Sequence, residues 1–233
     1  MVATVMPLLC ICVAAHAADL GSGYGNLPQL YNWSGFYVGG SFGGAFGKEA
    51  ASTPFGDFVT NPSGVLGGVQ GGYNLLFSPS WFVGLEGNFD WTTTHGVNLN
   101  NGGPGVAITS NQRWYDTADA RLGVIQGPLL YYVKGGAAWM DAGYYLSATV
   151  NKQTSAAWVD SNRTGWTIGA GLEYMLAPNW SAKIEYNFLD FGNQNLGIGL
   201  PIPGVSIGFN TQVHEVKLGV NYHWLPGNAF GRF

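Results

Sequence analysis

The sequence predicts an all-β fold, an eight-stranded antiparallel transmembrane β-barrel, and three observations lead there. First, Val213 to Trp224 alternates without a break. Val216, Leu218, Val220, Tyr222 and Trp224 share one face, while Glu215, Lys217, Gly219, Asn221 and His223 share the other. A period of two places alternate side chains on opposite sides of a sheet. A soluble sheet turns its apolar face inward, whereas a membrane barrel gives that face to lipid and the charges to its lumen. Second, only 9% of the 233 residues are charged, against roughly 25% in ordinary soluble domains. Aromatic residues make up 15% and glycines number 37, yet after the N-terminus no apolar run reaches the roughly 18 residues that suggest a membrane helix. Third, short and long connections alternate along the chain, as they do in bacterial outer-membrane barrels with short periplasmic turns and longer outer loops.

Met1 to Ala17 reads as a cleaved secretory signal. Val5 to Ala15 forms a short apolar core, and Ala15-His16-Ala17 supplies the small-x-small cleavage pattern, although no Lys or Arg precedes the core. Both cysteines, Cys10 and Cys12, lie in this segment, so no disulfide is expected in the mature chain. The residues before either cysteine are not the small ones that lipoprotein processing needs. Residues 18–32 are Gly-rich and expected to be flexible, residues 33–224 form the barrel, and residues 225–233 form a tail.

Within the barrel, strands are expected at 33–47, 63–77, 81–93, 111–126, 129–142, 163–177, 180–191 and 211–224. Ser78-Pro79-Ser80, Gly127-Pro128 and Pro178-Asn179 make tight turns from turn-forming residues. The connections 48–62, 94–110, 143–162 and 192–210 are long and rich in Gly, Asn, Ser, Thr and Pro. If the first strand rises from the periplasm, Trp33, Trp81, Trp180 and Trp224 fall at the periplasmic rim. Trp91, Trp114, Trp139 and Trp166 then fall near the outer rim, and Trp158 is left in a loop. Two such belts suit amphipathic rings at lipid–water boundaries.

The faces follow from parity. Trp166, Ile168, Ala170, Leu172 and Tyr174 point outward, as do Trp180, Ala182, Ile184, Tyr186 and Phe188. In the third expected strand Trp81, Val83, Leu85 and Phe89 point outward, with Phe82, Gly84, Glu86 and Asn88 inward. In the fourth, Asp116 shares parity with outward Leu122 and Val124, so either it lies above the lipid or a bulge shifts the register. The inward charges form the candidate site: Glu86, Asp119, Arg121, Lys134, Glu173, Lys183, Glu185, Glu215 and Lys217, with opposite signs recurring between neighbours. They either plug an interior that eight strands leave just wide enough for side chains, or gate a narrow aqueous path.

Three segments carry a family resemblance: Trp33-Ser34-Gly35-Phe36-Tyr37-Val38-Gly39-Gly40, Asn179 to Tyr186 through Asp190-Phe191-Gly192, and Val216 to Tyr222. They resemble the small outer-membrane immunogenic proteins of alphaproteobacteria, a porin-family group related to the OmpA transmembrane barrel and the opacity proteins. The resemblance implies localisation in the outer membrane of a Gram-negative bacterium. It also implies contact with outer-membrane lipid and lipopolysaccharide, surface ligands met through loops, and the barrel-assembly machinery. That machinery reads a terminal aromatic, for which Trp224 and Phe233 both qualify.

Catalysis, cofactors and metals are not expected. His214 is followed by Glu215 and Val216, so no serine stands two residues on, and the four histidines are scattered. Gly67-Gly68-Val69-Gln70-Gly71-Gly72 lies within a strand pattern and does not open a helix, unlike a phosphate loop. A net charge of −4 without a basic patch argues against nucleic acid. Two function classes remain: a structural anchor displaying four surface loops, or a narrow porin in which Gln70, Asn74, Asn88 and Thr167 hold a water file.

Overall fold

A computed structural model describes residues 31–53, 56–99, 106–150, 153–197 and 206–224. The expected signal segment, most of the expected flexible stretch and the tail 225–233 lie outside the described residues. Ten strands form: β1 (Gly35–Thr53), β2 (Gly56–Thr60), β3 (Ser63–Ser78), β4 (Trp81–Thr92), β5 (His95–Leu99), β6 (Val106–Gln126), β7 (Leu129–Val150), β8 (Gln153–Ala177), β9 (Trp180–Gly197) and β10 (Ser206–His223). Eight of them close a ring in the order β1-β3-β4-β6-β7-β8-β9-β10, with β1 pairing antiparallel to both β3 and β10. Closure leaves no sheet edge, so backbone N–H and C=O groups within the bilayer find partners on neighbouring strands.

At one end, residues 79–80, 127–128 and 178–179 turn the chain. Gly127 has φ +59°, a left-handed conformation that glycine adopts without a Cβ clash. Pro128 and Asn179 carbonyls accept bonds from Met175 and His223 across the rim, each at 2.8 Å. Short turns mark the periplasmic end.

At the other end the structure corrects the loop assignments. The first expected loop is mostly sheet: β1 continues to Thr53 and pairs back with β2. The second contains β5, paired with the start of β6. In the third, β7 and β8 stay in register to Val150↔Gln153. In the fourth, β9 and β10 pair up to Gly197↔Ser206. Strands of 22 and 25 residues far exceed the roughly 9–11 that cross a bilayer. Above the lipid, ladder hydrogen bonds persist while neither face needs an apolar stripe, so the alternation that marks a strand disappears from the sequence.

The expected faces hold in the spanning region. Phe82, Glu86 and Asn88 are buried, and Trp81, Val83 and Leu85 are exposed on the outer wall. In β6 a register shift falls between Gln112 and Trp114. It lies beyond Asp116, which therefore keeps the outward parity of Leu122 and Val124. Asp116 is paired with Phe89 on β4 and Trp139 on β7. That places it in the outer aromatic belt, the first of the two alternatives.

Candidate functional site

The lumen is filled in layers. Nearest the periplasm, Trp33, Phe82, Leu130, Tyr132 and Met175 form an apolar cluster, with Tyr31, Leu76 and Ile125 packed against it. Trp33 was expected in the lipid-facing girdle, but its side chain is 0% exposed and points into the barrel. Its indole N–H donates to the Gly127 carbonyl at 3.3 Å, and its ring stands edge-on to His223 at 5.5 Å. Residues 31–34 precede the strand, and Trp33 shares the parity of inward Tyr37, so the chain folds beneath the barrel mouth. There the inward apolar positions Phe82, Leu130 and Met175 bury the whole ring, whereas a lipid boundary covers only part of one. Trp81, Trp180 and Trp224 stand on the outer wall at this end, and Trp91, Trp139 and Trp166 on the outer wall at the other, where Trp114 is half-buried.

Above this cap lies a sheet of charge. Glu86, Asp119, Arg121, Lys134, Glu173, Lys183, Glu185, Glu215 and Lys217 are each no more than 3% exposed. Lys183 on β9 meets Glu86 on β4 at 3.3 Å. These strands stand four apart in a ring of eight, so the contact spans the lumen. Glu86 also receives Arg121 at 3.3 Å and Lys134 at 3.1 Å. Arg121 reaches on to Glu173 at 3.2 Å, and Lys134 to Asp119 at 3.2 Å and Glu185 at 2.8 Å. Lys183 bonds Glu185 at 3.2 Å, and Lys217 approaches Glu215 at 3.6 Å.

Several members of this lattice were not singled out from sequence. Asp90 pairs with Lys217 at 2.7 Å. Parity had already placed Glu86 and Asn88 inward, and one further step of two reaches Asp90. The Tyr37 hydroxyl donates to Glu86 at 2.7 Å and accepts from Arg121. The Tyr132 hydroxyl donates to Glu185 at 2.6 Å, and the Arg121 guanidinium sits 3.9 Å from the Tyr132 ring centroid. Only pairing makes such burial tolerable, because an isolated charge in a dry interior costs several kcal/mol or more. A smaller polar layer stands higher: Gln112 bonds Glu49 at 2.9 Å, and Arg163 bonds Thr211.

Ser181, His223 and Glu173 come together near the periplasmic end, but not as a catalytic relay. Ser181 Oγ and Glu173 Oε1 both approach the same ring nitrogen, His223 Nε2, at 2.9 and 3.3 Å. A relay needs the base held through its other nitrogen and a nucleophile open to substrate. Here Ser181 is buried and also bonds Glu173. Outward His214 bonds the Tyr186 hydroxyl at 2.7 Å. Among the described residues no cluster of His, Cys, Asp and Glu is arranged to hold a metal.

A closed antiparallel ring with an apolar outer wall, two aromatic belts and a charged interior defines a transmembrane β-barrel of the outer-membrane type. The chain belongs to the family described as the outer membrane protein beta-barrel domain, matched over residues 3–223. Its place is the outer membrane of a Gram-negative bacterium. It is similar to the 31 kDa outer-membrane immunogenic protein of Brucella melitensis, at 29% identity covering 90% of this chain and 93% of that one. It is also similar to the 22 kDa outer membrane protein of Rhizobium leguminosarum, at 27% identity covering 81% and 77%. Among solved structures, the outer membrane protein OprG of Pseudomonas aeruginosa superposes with a TM-score of 0.52 at 13% identity, covering 84% of this chain and 99% of that one. This last likeness shows the fold alone.

Proposed function

We propose that this protein is a closed, non-catalytic barrel that anchors four outer hairpins for surface contact and stiffens the membrane around it. Its partners in this reading are outer-membrane lipid and lipopolysaccharide, the assembly machinery reading Trp224 or Phe233, and ligands met by the hairpins. The observation that carries it is the Lys183–Glu86 contact, 3.3 Å between diametrically opposite strands with both side chains buried. An ion crossing the lumen would have to part this pair and the others that share Glu86, Arg121 and Lys134. Pairs so desolvated come apart only at a cost of several kcal/mol.

A second reading, a narrow porin with a charge-gated lumen, has its own support. Gln70 Oε1, both side-chain polar atoms of Asn74, Asn88 Oδ1 and Thr167 Oγ1 are buried without a protein hydrogen-bond partner among the described residues. Buried polar atoms of this kind are normally served by water. Against a continuous file of water stands the ion-pair lattice that lies across the path.

Single-channel recording of the refolded, heat-modifiable protein in a planar bilayer separates the two. Silence from protein shown to be inserted is expected. Reproducible steps that change when Arg121 or Glu86 is neutralised would establish the porin instead.

A further inference from the structure

The outer wall of the β7–β8 hairpin carries a feature that the lumen does not use. Tyr145 and Trp158 are cross-strand partners, with ring centroids 6.3 Å apart. They remain 41% and 53% exposed. The indole packs against Gly143, where an added Cβ would come within 2.5 Å of the ring. Its N–H donates to Asp160 Oδ1 at 3.0 Å. Arg113, next to the β6 register shift, bridges the same oxygen at 2.8 Å and Asp141 at 2.7 Å. Hydrogen bonding to Asp141 raises the Arg113 guanidinium further above its already high range, so it stays cationic. The result is two exposed aromatic rings beside a fixed carboxylate and a fixed guanidinium.

Position says what this surface meets. Tyr145 and Trp158 have the outward parity of Trp139 and Trp166, so they continue the lipid-facing wall. Tyr145 lies six residue steps beyond Trp139 in β7, which at ~3.3 Å per residue and a tilt of ~40° is about 15 Å above the belt. The headgroup layer of an ordinary bilayer adds only ~5–8 Å beyond the hydrocarbon on each side. Phospholipid therefore ends below the platform, and of the surrounding lipids only one with an extended sugar headgroup reaches it.

We propose that this wall is a binding site for the core saccharide of lipopolysaccharide in the surrounding outer leaflet. A pyranose has an apolar C–H face and a hydroxyl rim. The face suits the electron-rich surfaces of Trp158 and Tyr145. The rim donates to Asp160 and accepts from Arg113 in charge-assisted hydrogen bonds. The site rests on the proposed lipopolysaccharide partner, and stands whether or not the lumen conducts.

The test uses the full chain in the outer membrane of two strains, one with a complete lipopolysaccharide core and one with the core cut back to its first sugars. After mild detergent extraction, native mass spectrometry counts lipopolysaccharide retained per protein. The wild type is expected to retain the complete-core form roughly fivefold more than the truncated form, the scale of one aromatic stacking contact. Trp158→Ala combined with Tyr145→Ala is expected to abolish that preference while heat-modifiable migration is unchanged, and Trp158→Phe is expected to keep most of it. Equal retention of the two forms by the wild type overturns the proposal, as does a preference that survives the double substitution. Capture of an added soluble polysaccharide without any core preference also overturns it, by assigning the rings to an external glycan. Should the double variant fail to fold, Asp160→Ala leaves both rings in place and is expected to reduce the preference roughly threefold. No reduction there counts against the site.

Discussion

At the scale of single residues, the lumen is governed by what each charge would face if its partner were removed. Arg121 bridges Glu86 and Glu173 and lies over the Tyr132 ring. Arg121→Ala would leave Glu173 without its guanidinium partner and take one of three cations from Glu86, so a loss of ~3–5 kcal/mol is expected. Arg113 also bridges two carboxylates, but its side chain is 44% exposed, so Arg113→Ala should cost no more than ~1 kcal/mol. Heat-modifiability midpoints on electrophoresis would rank the two, and equal shifts would mean that the lumen lattice does not stabilise the barrel. These charges could be read from sequence because a period of two assigns direction without knowledge of neighbours. The same rule reaches Asp90. Trp33 shares the parity of inward Tyr37, but it precedes the ladder that begins at Gly35, so only the apolar cluster beneath the mouth shows that the parity carries on to it.

At the scale of elements, two features set how the strands meet. Inside the narrow ring, glycine permits close backbone approach: a Cβ on Gly136 would come within 1.9 Å of the Ala118 carbonyl oxygen across the β6–β7 pair. On the outer wall, a Cβ on Gly87 would lie 3.9 Å from its nearest neighbour, the Thr117 carbonyl oxygen. Gly136→Ala should therefore part β6 from β7 beside the Asp119–Lys134 pair and speed amide exchange at residues 117–119 and 135–137. Gly87→Ala should leave exchange unchanged. Hydrogen–deuterium exchange on the folded barrel checks both, and similar protection in the two variants would rule out steric closeness as the reason for Gly136. The second feature is the upward growth of the strands into hairpins. The periplasmic ends of the strands were placed to within two residues because Pro, Gly and Asn punctuate the tight turns. The outer ends were not, since a hairpin in water on both faces needs only its backbone ladder, and Gly, Asn, Ser and Thr supply that without a hydrophobic period.

At the scale of the whole molecule, the proposed closure rests on two seals in series. The apolar cluster around Trp33 occupies the periplasmic end, and the lattice centred on Glu86 lies across the lumen above it. They are chemically unlike. One resists ions because its packed side chains are largely apolar, the other because its charges are already paired with one another. For barriers in series, the greater remaining resistance limits the current, so breaching one leaves the other in control. Trp33→Ala should remain electrically silent, and so should Glu86→Ala combined with Lys183→Ala, provided each variant is shown to be folded and inserted. Combining all three substitutions should yield discrete conductance steps in a planar bilayer. Steps from either breach alone would mean that a single gate controls the lumen, which would favour the porin. Silence even from the triple variant would move the decisive barrier upward, to the layer where Gln112 meets Glu49 and Arg163 meets Thr211.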